Sequence, residues 1–62
     1  MKEQILKKIE RVNEGSGINA IGTYTKMIRD LKRFDFDIEI VTFFVVGLSL
    51  TPTEVKFLRT QV

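Results

Sequence analysis

The sequence predicts an all-α fold: one small domain spanning residues 1–62, built from four helices and ending in a helical hairpin. Three observations carry that expectation. Apolar residues recur at three- and four-residue intervals across residues 2–13 and 19–34, the period of one helix face. The stretch "LTPTEVKFL" (50–58) holds a full set of helix-start signals. Only one segment alternates with the period of a strand, and it has no second strand in the chain to take its backbone hydrogen bonds.

From Lys2 to Asn13, the residues Ile5, Leu6, Ile9 and Val12 form an apolar stripe bordered by Lys2, Glu3, Lys7, Lys8, Glu10 and Arg11, the pattern of an amphipathic helix. Glu3 offers surface pairing to Lys7 and Lys8, worth a few tenths of a kcal/mol. "NEGSG" (13–17) then supplies Asn and Gly for a left-handed stop, with Ser16 or Asn19 as the next N-cap. The second helix is expected from about Asn19 to Phe34, with Ile21, Tyr24, Met27, Ile28, Leu31 and Phe34 on one side. Gly22 inside it costs about 1 kcal/mol against Ala and marks a close helix crossing. Tyr24 reads as an aromatic at the core edge with a solvated hydroxyl.

"FDFDIEIVTFFVV" (34–46) supports two readings. Phe34, Phe36, Ile38 and Ile40 alternate with Asp35, Asp37 and Glu39, a strand period that fails at Val41. As a helix, the segment has acids in its first turn, where they complement the macrodipole, and Gly47 just past its end. Helix is the expected assignment. The alternative is an α+β arrangement in which residues 34–46 form an intermolecular strand in a two-stranded ribbon. The three acids lack the Gly and the distant Glu of a calcium loop, so no metal is expected there.

At the last helix, Thr51 is the N-cap, Pro52 occupies N1, and Glu54 at N3 completes a capping box, with Leu50 and Val55 as the hydrophobic staple. Gly47 is expected to take the positive φ that ends the third helix, with Leu48 folding back over it. Gly47 to Leu50 would then join two helices by a turn of helix-turn-helix length. "GLSLTPTEVKFLR" resembles the helix-turn-helix and winged-helix regulator families over about a dozen residues, through Leu50, Thr51, Glu54, Phe57 and Leu58. In winged-helix regulators this stretch opens the domain and a recognition helix follows. Here it is the last helix, so the resemblance implies that Thr53, Lys56, Arg59 and Thr60 would meet phosphates and base edges. A capping box and a Gly-containing turn also build helical hairpins that merely pack, and Lys56 and Arg59 suit the dipole of a helix end without any ligand.

Composition bounds the function classes. A chain of 62 residues buries only about 60% of its unfolded surface, yet 44% of its residues are hydrophobic. The surplus predicts a homodimer joined through the third segment. With no Cys and no His, neither disulfides nor the usual zinc ligand sets can form. No P-loop, dinucleotide fingerprint or nucleophile with a base is present, so no enzyme, cofactor or small-molecule substrate is expected. The longest uncharged run, Ile40 to Thr53, is shorter than the roughly 20 residues of a membrane span. Absence of cysteine and of a leader pattern points to a cytoplasmic protein.

The net charge of +2 permits an anionic partner, and the densest cations are Lys26, Arg29, Lys32 and Arg33. The expected function is non-catalytic binding of DNA or RNA in a regulatory or genome-maintenance role, with those four residues, Lys56 and Arg59 on phosphate. A solvated basic face is the plainer reading of the same cluster, which Asp30 interrupts. The competing expectation is an adaptor or inhibitor that docks on a larger protein through Phe36, Phe43, Phe44 and Phe57.

Overall fold

The computed structural model of the chain describes residues 1–16 and 21–61. Among them are four helices and no strand: α1 (Lys2–Ser16), α2 (Tyr24–Arg33), α3 (Ile38–Leu48) and α4 (Pro52–Thr60). The all-α reading therefore holds, and residues 34–46 do not form a strand. Every helix contributes to one core: Ile5 and Ile9 from α1, Met27 and Leu31 from α2, Val41, Phe44 and Leu48 from α3, and Leu58 from α4, with Leu50 from the last connection.

The helix boundaries moved where side chains found better uses than capping. α1 does not stop at Asn13 but runs through Gly15 to Ser16. The Asn13 side chain instead binds the entry to α2: its Oδ1 accepts from the Ile21 N–H at 2.9 Å and its Nδ2 donates to the Gly22 carbonyl at 3.1 Å. Ser16 is thus the last residue of a helix rather than an N-cap, and Gly17 and Asn19 lie outside the described residues. α2 starts at Tyr24, because Thr23 caps it by accepting from the Lys26 N–H at 3.1 Å. Gly22 stands outside the helix, with φ +88°, a conformation that glycine adopts without steric cost.

The end of α2 is a Schellman stop. The Phe36 N–H reaches the Leu31 carbonyl at 2.8 Å and the Asp35 N–H reaches that of Lys32 at 3.1 Å, with Asp35 and Phe36 both left-handed at φ 51° and 53°. Asp37 then caps α3 by accepting from the Glu39 N–H at 2.9 Å. The residues that alternate in the sequence are therefore a turn, a helix cap and the first turn of α3.

α3 also outruns its expected end. Gly47 lies inside it, and Ser49 takes the left-handed position at φ 55°. Leu48 explains the extension, because it falls on the same helix face as Val41 and Phe44. Burying it to 2% exposure requires one more helical residue after Gly47. The three residues 49–51 then lead into α4, whose capping box forms as expected: Thr51 Oγ1 accepts from the Glu54 N–H at 3.2 Å and Glu54 Oε1 from the Thr51 N–H at 2.8 Å.

Candidate nucleic-acid interface and the uncovered face of α3

A helix turns about 100° per residue, which fixes what α2 shows to solvent. Met27 and Leu31 are buried, and Lys26, Arg29 and Arg33 fall on the side directly opposite, at i, i+3 and i+7. Lys32 and the half-buried Asp30 lie on the two flanks. All four cations are exposed, and none is within ion-pair distance of a carboxylate among the described residues. Lys32 and Arg33 sit in the last turn of α2, where the helix dipole favours cations. Lys26 sits in the first turn, where the same dipole opposes it, so helix stability does not account for its charge.

Charge is also segregated along the chain. α2 carries four cations against one acid, whereas residues 34–48 carry Asp35, Asp37 and Glu39 with no cation. At the corner between them, the Arg33 guanidinium stands 5.5 Å from the Phe34 ring centre and that of Arg59 4.8 Å from the Phe36 ring centre, within cation–π range. Arg59 of α4 is thereby brought to the C-terminal end of α2. Lys56, Thr53 and Thr60 are exposed on α4 itself, and the Thr60 hydroxyl donates to the Phe57 carbonyl at 2.6 Å.

α4 is held in place by a contact that capping signals alone do not reveal. Glu54 is 4% exposed, and its Oε1 lies 2.6 Å from Lys8 Nζ of α1, which also donates to the Ser49 carbonyl at 2.9 Å. Lys8 thus ties α1 to the end of α3 and the start of α4, and is not a surface partner of Glu3. Burial pushes the Glu54 carboxyl upward, but hydrogen bonds from Lys8 and the Thr51 N–H outweigh it and hold the group below its ordinary value. The Tyr24 hydroxyl is not solvated. It is buried without a hydrogen-bond partner among the described residues, and burial pushes its pKa up. Lys2 Nζ lies 5.1 Å over its ring centre.

The four phenylalanines expected to dock a partner do not share a surface. Phe44 is a core residue at 5% exposure, because it shares the inward face of α3 with Val41 and Leu48. Phe36 and Phe57 are half-buried against the same core. Only Phe43 points outward, edge-on to Phe44 with ring centres 5.2 Å apart. Its neighbours on the outer face are Ile38 and Val46, which together with Glu39, Thr42 and Gly47 line a shallow groove. Sequence reasoning missed Ile38 and Val46 because α3 is apolar nearly all round, so composition does not show which side is buried.

Among the described residues no cluster of acidic, His or Cys side chains is placed to hold a metal ion. No described helix is long and apolar enough to cross a membrane. The chain matches no protein-family model, no curated protein and no solved structure, so the functional reading rests on these surfaces.

Proposed function

We propose that the protein is a non-catalytic nucleic-acid-binding module whose primary contact is the outer face of α2. The observation that carries this reading is the unneutralised set Lys26, Arg29 and Arg33, opposite the buried Met27 and Leu31, with Lys32 on the flank. Cations aligned on one face bind a phosphate backbone by displacing its counterions, without need of base contacts. Arg59 extends the surface at the end of α2, and Lys56 offers a further contact from α4. A regulatory or genome-maintenance role fits such a module.

Retention on immobilised DNA and on RNA tests the proposal. The wild-type chain should be held at low salt and released as salt rises, and the double variant Arg29→Glu, Arg33→Glu should pass through unbound with its helical circular dichroism intact. Retention of that variant equal to wild type would remove α2 from the binding surface.

A second reading, docking on a larger protein as an adaptor or inhibitor, is favoured by the exposure of Ile38, Phe43 and Val46 on α3. Salt separates the two, because an apolar interface responds little to ionic strength.

A further inference from the structure

The outer face of α3 is uncovered on this chain, and its chemistry selects an occupant. Ile38, Phe43 and Val46 are 73%, 56% and 74% exposed. Together they leave on the order of 300 Å² of apolar surface in water, a patch of the size that is often functional. A standard interface takes about 800 Å² from each partner, commonly with a polar rim around an apolar centre. Glu39 and Thr42 are the polar residues of the groove, and Phe34 adjoins Phe43 in a second depression beside it.

We propose that this face binds a second copy of the chain, α3 against α3 in antiparallel orientation. The groove residues run from Ile38 to Gly47, so a two-fold axis near Thr42 and Phe43 sets the Ile38 end of one copy against the Val46 end of the other. A surface that complements itself in this way is what a two-fold dimer requires.

Charge selects the same orientation. The first turn of α3 carries Glu39, with Asp37 as its cap. At the other end of the groove, a Cβ added at Gly47 would lie 3.6 Å from Ile21, and one added at the neighbouring Gly22 would lie 3.0 Å from the Lys26 side chain. Antiparallel pairing therefore carries Glu39 of each copy toward Lys26 of the other, twice per dimer. Parallel pairing would set Asp37 and Glu39 against their own counterparts, a juxtaposition that costs free energy. The association shares Lys26 with the phosphate-binding reading of α2 and leaves Arg29, Lys32 and Arg33 of that face free, so it is measured without nucleic acid.

Sedimentation equilibrium of the whole chain without nucleic acid, from micromolar to millimolar concentration, tests the proposal. The apparent mass should rise from 7.2 kDa toward twice that value, and a Phe43→Ser, Val46→Glu variant should stay at the monomer mass with unchanged helical content. Glu39→Lys and Lys26→Glu should each weaken association about ten-fold, from two lost contacts per dimer, and the two together should restore most of it. A wild-type chain that remains monomeric at millimolar concentration overturns the proposal and leaves the face to a different protein. Association that survives Phe43→Ser, Val46→Glu places the contact elsewhere. Single charge reversals without effect overturn the antiparallel arrangement.

Discussion

α2 and α3 are neighbours of nearly equal length that solve the same problem in opposite ways. Each buries one face in the common core, through Met27 and Leu31 in one and through Val41, Phe44 and Leu48 in the other. Away from the core, α2 presents Lys26, Arg29 and Arg33, whereas α3 presents Phe43 and Val46 behind a single acid, Glu39. The outer face of α2 is fully at home in water and is suited to a polyanion. The outer face of α3 leaves apolar surface in water, which favours covering it. Two helices that are equivalent in packing are therefore different kinds of surface, one long-range and sensitive to salt, the other short-range and dry.

The sharpest way to break that contrast is to compare the two adjacent rings of α3. Phe44→Ala should cost about 3–5 kcal/mol, because it empties a filled core site. Phe43→Ala should cost the monomer less than about 0.5 kcal/mol, as for a surface position. Chemical denaturation of both variants at low protein concentration reads the difference, and equal losses would mean that the two faces are not distinct.

The next effect concerns what holds both helices in place. Glu54→Gln removes the ionic link from α4 to Lys8 and should cost about 1–3 kcal/mol, below the full value for a buried pair because the Lys8 side chain is 26% exposed. Its pH dependence has a defined sign. Glu54 has a folded pKa below its ordinary 4.5, so its contribution is present above that value and is lost as pH falls through the folded value. The wild-type melting temperature should fall across that acid range, and the Gln variant should lack this component. Parallel acid profiles for the two proteins would remove Glu54 as the linkage site.

A smaller, stabilising effect is expected where α3 ends. Ser49 holds a left-handed conformation that costs a residue with a side chain about 1–2 kcal/mol. Ser49→Gly should raise stability by about 1 kcal/mol, and a lower melting temperature would mean that the hydroxyl makes a contact worth more than the strain. The smallest effect belongs to α2: Arg29→Glu with Arg33→Glu should shift stability by less than about 1 kcal/mol, chiefly from an acid placed at a helix C-terminus. Unfolding of that variant would show the basic face to be structural.

These magnitudes also show which parts of the fold were legible in the sequence. α4 could be read to the residue, because Thr51, Pro52 and Glu54 are local devices that act within one turn. The apolar face of α2 was legible through its period. The left-handed stops were not, because tertiary burial decided them: the core claims Leu48, and the helix continues past the available glycine to close at Ser49. Asn13 misled for a related reason, since its side chain bonds to Ile21 and Gly22, a contact that spacing alone does not announce. Of the candidate site, the cations of α2 were legible as a cluster, and their alignment opposite Met27 and Leu31 followed once the helix was placed. The phenylalanines were not legible as a surface, since in a helix apolar nearly all round the buried ring and the exposed ring differ only by one position.

The most direct test of the proposed function is the salt dependence of nucleic-acid affinity, measured with the wild-type chain and with Arg29→Glu, Arg33→Glu. If Lys26, Arg29, Lys32 and Arg33 neutralise four phosphates, the log–log slope for duplex DNA should lie near roughly −3.6, or about −0.9 per phosphate, and the double variant should show no measurable binding. A slope near zero, or equal affinity for the two proteins, would contradict the assignment of α2 as the binding face.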